Sequence, residues 1–123
     1  MKKLITVALV AALADEGIDA EVREGLTGIW AGDAKIGSIG VHVNRGVTTH
    51  GFAVNVDNDL QPFEWVVPCG IDGVRMTSVC KETGRSEGIG CFRKRVAYRF
   101  AQAYGTRQRI TSLERLLPAP ALV

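Results

Sequence analysis

Cys69 stands between Pro68 and Gly70, directly after the apolar pair Val66-Val67. Proline fixes φ and glycine tolerates almost any backbone shape, so this is a sharp turn that presents a side chain rather than packing it. The apolar run before it reads as a short strand. A lone thiol displayed in this way is a candidate nucleophile, and it attacks as the thiolate. The competing reading is a small buried hydrophobe, the usual fate of a free cysteine. A nucleophilic Cys69 needs an activator, and Lys35 is the candidate. It opens the run Lys35-Ile36-Gly37-Ser38-Ile39-Gly40-Val41-His42-Val43, which reads as a strand. Strict alternation along it puts Lys35 and Gly37 on one face with Ile39, Val41 and Val43, and Ile36, Ser38, Gly40 and His42 on the other. A lysine at the end of a packed apolar face is partly desolvated, which disfavours its ammonium form and suits it to take a proton from a thiol. An ordinary surface lysine is the commoner case.

The elements that must position these two residues follow from pattern. The apolar stretch from Leu4 to Ala14 is either a secretory-type segment behind Lys2 and Lys3 or a buried helix stopping at Gly17. As a helix it places Asp15 and Glu16 at its C-terminus, where the dipole disfavours acids. Residues 19–23 and 28–32 read as short strands. Phe52, Val54 and Val56 alternate with Ala53, Asn55 and Asp57 in a half-buried strand, and His50 just precedes it beside Gly51. Asn58 and Asp59 make a turn, which Gln61-Pro62 prolongs. Residues 76–83 suggest a short helix capped by Thr77 or Ser78. Ser86 is the expected N-cap of a longer helix in which Ile89, Phe92, Val96, Phe100 and Ala103 share a face and Gly105 stops the run. Thr111-Ser112-Leu113-Glu114 looks like a capping box for one last turn, and Pro118 and Pro120 end the ordered part.

With 123 residues and a net charge of +2, the chain is one domain's worth and is not basic enough to point to nucleic acid. Arg93, Lys94, Arg95 and Arg99 cluster on the longer helix, as a solvated face or as a surface for an acidic partner. Cys69, Cys80 and Cys91 make an odd count without a CxxC pair, which argues against zinc and against a disulfide framework, and for a reduced intracellular setting. The Leu4–Ala14 run is too short to span a bilayer.

Four blocks in order carry a more specific signal: Lys35-Ile36-Gly37-Ser38-Ile39-Gly40-Val41, Thr49-His50-Gly51-Phe52-Ala53-Val54-Asn55-Val56, Pro68-Cys69-Gly70-Ile71 and Thr77-Ser78-Val79. Their spacing resembles the octanoyltransferases of lipoate biosynthesis. The resemblance implies an α/β (α+β) fold similar to the biotin and lipoate protein ligase catalytic domain, a mixed sheet with flanking helices. It implies transfer of an octanoyl group from octanoyl-acyl carrier protein to a lysine of lipoyl domains, those of 2-oxo acid dehydrogenases and of the glycine cleavage H protein. Cys69 matches the cysteine that holds the acyl group as a thioester, and Lys35 the assisting lysine. Ser38, Ile39, Gly40, His50, Gly51, Phe52 and Ala53 fall in the segments that line the acyl pocket. Ile39 and Phe52 offer apolar surface to an eight-carbon chain, and the backbone at Cys69-Gly70 offers oxyanion donors. No metal, nucleotide or other cofactor is expected, and the expected location is the cytoplasm.

Members of that family also carry an N-terminal half with Arg-Gly-Gly and His-Gly-Pro-Gly blocks, neither of which occurs in this sequence. The resemblance therefore reads residues 1–123 as a single unit, the C-terminal portion of the catalytic domain, and the apolar start as its core helix. Two other readings stand beside the acyltransferase: a truncated, inactive remnant that keeps a carrier-protein-binding surface, and a ligase-like relative using free acid and ATP. The Pro-Cys-Gly turn argues against the last, since an adenylating enzyme needs no thiol.

Overall fold

The computed structural model describes residues 1–66, 73–86, 88–117 and 119. Helix α1 spans Lys2–Asp15 and is followed by strands β1 (Ala20–Glu21), β2 (Ile29–Ala31), β3 (Ala34–Asn44) and β4 (Val47–Val54). A 3-10 helix at Gln61–Trp65, strand β5 (Arg75–Met76) and helices α2 (Val79–Thr83), α3 (Ile89–Ala103) and α4 (Leu113–Leu116) complete it. The sheet runs β1-β2-β3-β4, all antiparallel, with β5 added parallel to β3, so it is mixed as expected.

The core lies between one face of the sheet and the two long helices. Along α1, Ile5, Leu9, Ala12 and Leu13 recur at helical spacing and are buried together with Ile18, Ile29, Ile36, Val56, Val79 and Phe92. Val96 and Phe100 of α3 pack against the same cluster. The Leu4–Ala14 run is therefore a core helix, and Gly17, at φ +82, turns the chain out of it. Among the described residues no helix is long and apolar enough to cross a membrane.

The two acids at the end of α1 are compensated from α3 and from Arg85, which lies between α2 and α3. The Arg99 guanidinium grips Asp15 with Nε 2.7 Å from Oδ2 and Nη2 2.5 Å from Oδ1. Arg95 and Arg85 reach the buried Glu16 carboxylate at 3.3 and 3.4 Å. Half of the expected basic surface thus works internally, offsetting an unfavourable helix end.

Three expected elements differ. The apolar run before Cys69 is not a strand at residues 61–65 but the 3-10 helix, started by Pro62 in its first turn. Met76 belongs to β5 and not to a helix. That helix begins only at Val79, with the Ser78 side chain accepting from the Lys81 N–H at 3.1 Å. The N-cap of α3 is Gly88, not Ser86, and Ser112 precedes α4 without a side-chain cap hydrogen bond. Pro118 and Pro120 lie outside the described residues.

Candidate active site

Lys35 is 5% exposed, so it is not a surface lysine. Its face, however, is not the one that strict alternation gives. Trp30 pairs with Lys35, but the next residue back, Ile29, pairs with Gly37, so β3 carries one extra residue, Ile36, in a bulge. An inserted residue shifts the alternation by one. Ile36 joins the core with Ile29 and Ala31, while Lys35 shares the opposite face with Trp30. The Arg23 guanidinium stacks on that indole, 5.3 Å from the ring centre.

Sequence reading missed Gly28, and it is part of this arrangement. At φ +96 it holds a conformation that side chains rarely adopt, and a Cβ there would stand 2.5 Å from Lys35 Cε and also collide with the Gly37 carbonyl oxygen. The lysine stem lies over a backbone kept bare for it. A glycine just before a strand was the available signal, but only the tertiary contact gives it this meaning.

Past the bulge, register sorts the expected pocket residues by face. Ser38 pairs with Ala53 and Gly40 with Gly51, and these four continue the Lys35 face as a floor of small residues. A Cβ at Gly40 or Gly51 would meet nothing within 4 Å. Ile39 pairs with Phe52 on the other face. Ile39 packs on the core, and Phe52 stacks on Phe100 with ring centres 6.4 Å apart, at an apolar groove of about 470 Å³ that Val96 also lines. Ile39 and Phe52 therefore meet the helices, and what they present to the Lys35 face is backbone. His50 is exposed and has φ +63 inside β4, opposite Val41. Such a value in a non-glycine strand residue is a strained conformation.

The blocks themselves meet at Lys35. The Thr77 N–H donates to the Lys35 carbonyl at 2.9 Å, and the Asn55 N–H to the Ile36 carbonyl at 2.9 Å. The Asn55 side-chain amide donates to the Thr77 carbonyl at 3.1 Å, and the Val79 N–H returns a bond to the Asn55 carbonyl at 3.0 Å. Thr77 and Ser78 are both buried, and the Thr77 hydroxyl donates to Glu82 at 2.5 Å. Three segments far apart in sequence are thus tied into one knot by main-chain and amide hydrogen bonds. The fourth, Pro68-Cys69-Gly70-Ile71, lies outside the described residues. Among the described residues no group of three His, Cys, Asp or Glu is placed to hold a metal ion.

Residues 2–101 match the model of the lipoyl protein ligase A/B catalytic domain. The chain belongs to that family. Two relatives of this lipoyl ligase-type catalytic domain are both named octanoyltransferase. That of Geobacter metallireducens is 41% identical over 118 residues, covering 96% of this chain and 54% of the relative. That of Syntrophotalea carbinolica is 46% identical over 92 residues, covering 75% and 44%. The chain therefore spans about half the length of the curated relatives it matches. Protein Ta0514 of T. acidophilum, provisionally described as a lipoate protein ligase, superposes with a TM-score of 0.67 at 20% identity, over 93% of this chain and 49% of that one. This likeness shows the fold alone: the mixed sheet with flanking helices is shared with about half of that protein.

Proposed function

We propose that this chain is part of an octanoyltransferase that moves an octanoyl group from octanoyl-acyl carrier protein to a lysine of lipoyl domains, in the cytoplasm. The acceptors are the lipoyl domains of 2-oxo acid dehydrogenases and the glycine cleavage H protein. The observation that carries this reading is the convergence on buried Lys35 of three of the sequence blocks by which the chain resembles octanoyltransferases. The names of the relatives support it.

In the first step the Cys69 thiolate attacks the carbonyl carbon of the donor thioester. The tetrahedral oxyanion is held by backbone N–H groups at the Cys69-Gly70 turn. As it collapses, the donor carbon–sulfur bond breaks and the carrier thiol departs with the proton that Lys35 had taken from Cys69. In the second step the acceptor lysine, as the free amine, attacks the acyl-cysteine. An amide forms, the bond to Cys69 sulfur breaks, the proton lost by the amine passes to Lys35, and the thiolate is restored. Lys35 takes the proton from the thiol and stabilises the thiolate. The small-residue floor of Ser38, Gly40, Gly51 and Ala53 leaves space beside Lys35 for the acyl chain. Both acyl bonds broken are thioesters, already activated, so the chemistry asks for no nucleotide.

The test is intact-mass analysis after incubation with octanoyl-carrier protein, for the chain alone and for the chain mixed with the part of the G. metallireducens relative that its match leaves uncovered. One octanoyl group on Cys69, passed on to a lipoyl domain, is expected. No adduct in either mixture overturns the proposal. Carrier binding that survives Cys69→Ser with no transfer identifies instead a non-catalytic binding module.

A further inference from the structure

A cleft of about 760 Å³ opens beside the hydrogen-bonded knot at Lys35. Met76, the register partner of Lys35 on β5, lines it. So do Glu64 and Val74, five residues before and after Cys69. Leu60, Phe63 and Met76 give the cleft apolar ground. Around them stand five charged side chains. The turn after β4 and the 3-10 helix bring Asp57, Asp59 and Glu64, while β5 and α2 bring Arg75 and Lys81. All five are exposed.

No ion pair within the fold uses these charges. Elsewhere carboxylates near arginines are taken up: Asp15 and Glu16 by Arg99, Arg95 and Arg85, and Glu21 and Asp33 by Arg23. In the cleft none of the five forms an ion pair among the described residues, although both signs border one space. The backbone that carries them is nevertheless pinned. The Asn58 side chain accepts from the Val56 N–H and donates to the Asn55 side-chain oxygen, both at 3.1 Å. Asp59 accepts from the Gln61 N–H at 3.0 Å, and Ser78 caps α2. Opposite charges held apart on a fixed frame complement a partner that itself carries both signs.

In the proposed reaction the octanoyl chain is apolar and neutral, whereas the acceptor lysine arrives as an ammonium. We infer that this cleft is the docking site of the acceptor protein. It receives a polar loop that presents its lysine to Asp57, Asp59 and Glu64 and an acidic side chain to Arg75 and Lys81. The inference rests on the transferase reading and names where the acceptor binds. The three carboxylates draw the ammonium in, and the free amine in exchange with it goes on to the acyl-cysteine, so docking adds no covalent step. The paired signs also discriminate: a loop bearing lysine alone leaves Arg75 and Lys81 facing a cation.

Titration with unlipoylated glycine cleavage H protein tests this. The full chain is used as its Cys69→Ala variant, alone and mixed with the uncovered part of the G. metallireducens relative, so that binding is read without transfer. The double variant Asp57→Asn, Glu64→Gln should weaken binding at least fivefold, and so should Arg75→Gln, Lys81→Gln on the other side. Asp59 is left in place because it holds the 3-10 helix. All four changed positions are exposed, so both variants should keep the circular dichroism of the parent. With Cys69 present, the H protein concentration giving half-maximal transfer should rise by the same factor, while the rate at saturating H protein changes less than threefold. Binding that both variants weaken, without octanoyl transfer by the Cys69 form, upholds the docking site and counts only against the transferase reading. Binding indifferent to either double variant overturns the inference. So does the absence of binding to the parent at millimolar H protein.

Discussion

The stem of Lys35 lies over Gly28 so closely that a Cβ on the glycine would stand 2.5 Å from the lysine Cε. The lysine is therefore held by a backbone with no side chain to give way, and the same Cβ would collide with the Gly37 carbonyl oxygen across the strand pair. Gly28→Ala must either move the lysine or open the β2–β3 ladder. At φ +96 the alanine adds backbone strain of about 1–3 kcal/mol even before the collision. Urea unfolding should show a loss of at least that size, whereas a change below about 0.5 kcal/mol would mean the backbone relaxes freely there.

Replacing Lys35 by Met keeps the stem and removes the amine. Octanoyl transfer should fall by about 10²–10⁴-fold, the usual range for losing a positioned proton-transfer group. Alkylation of Cys69 by iodoacetamide should then follow a more alkaline pH profile than in the parent chain. Identical profiles would remove Lys35 from the role of activator.

The Asp15–Arg99 pair gives a pH dependence with a definite sign. The hydrogen bond from Arg99 holds the Asp15 carboxyl below its ordinary value of 3.8. A carboxyl with a lowered folded-state value adds stability that is present above the unfolded value and lost as pH falls through the folded one. Arg99→Gln should therefore destabilise the chain at pH 7 and make its urea midpoint fall less steeply below pH 4 than the parent's. Parallel acid limbs for the two proteins would show that the pair contributes nothing.

Leu13 is fully buried in the cluster that joins α1 to the sheet. Leu13→Ala should cost about 2–5 kcal/mol, read as a lower denaturation midpoint with an unchanged slope. A cost below about 1 kcal/mol would mean α1 is not seated in the core as described.

Much of this molecule was readable residue by residue. The 3.6-residue spacing of Ile89, Phe92, Val96 and Phe100 marked α3, and Gly105, at φ +65, stops it. The alternation in β3 and β4 and the capping serine of α2 were equally local. The residues from Phe63 to Trp65 misled because a short apolar run has no period of its own, and Pro62 with the turn before it favoured a 3-10 helix.

What the sequence determined alone was the order of elements, the family blocks and the type of each candidate residue, because periodicity, turn chemistry and side-chain chemistry act over a few residues. The face on which Lys35 lies, the need for glycine at position 28 and the use of Arg95 and Arg99 to hold Glu16 and Asp15 were decided only in three dimensions. A bulge is set by how two strands meet, and an ion pair between residues 84 positions apart forms only once α3 has packed on α1. Both are consequences of burying the same core, to which no single segment contributes enough contacts to fix the outcome.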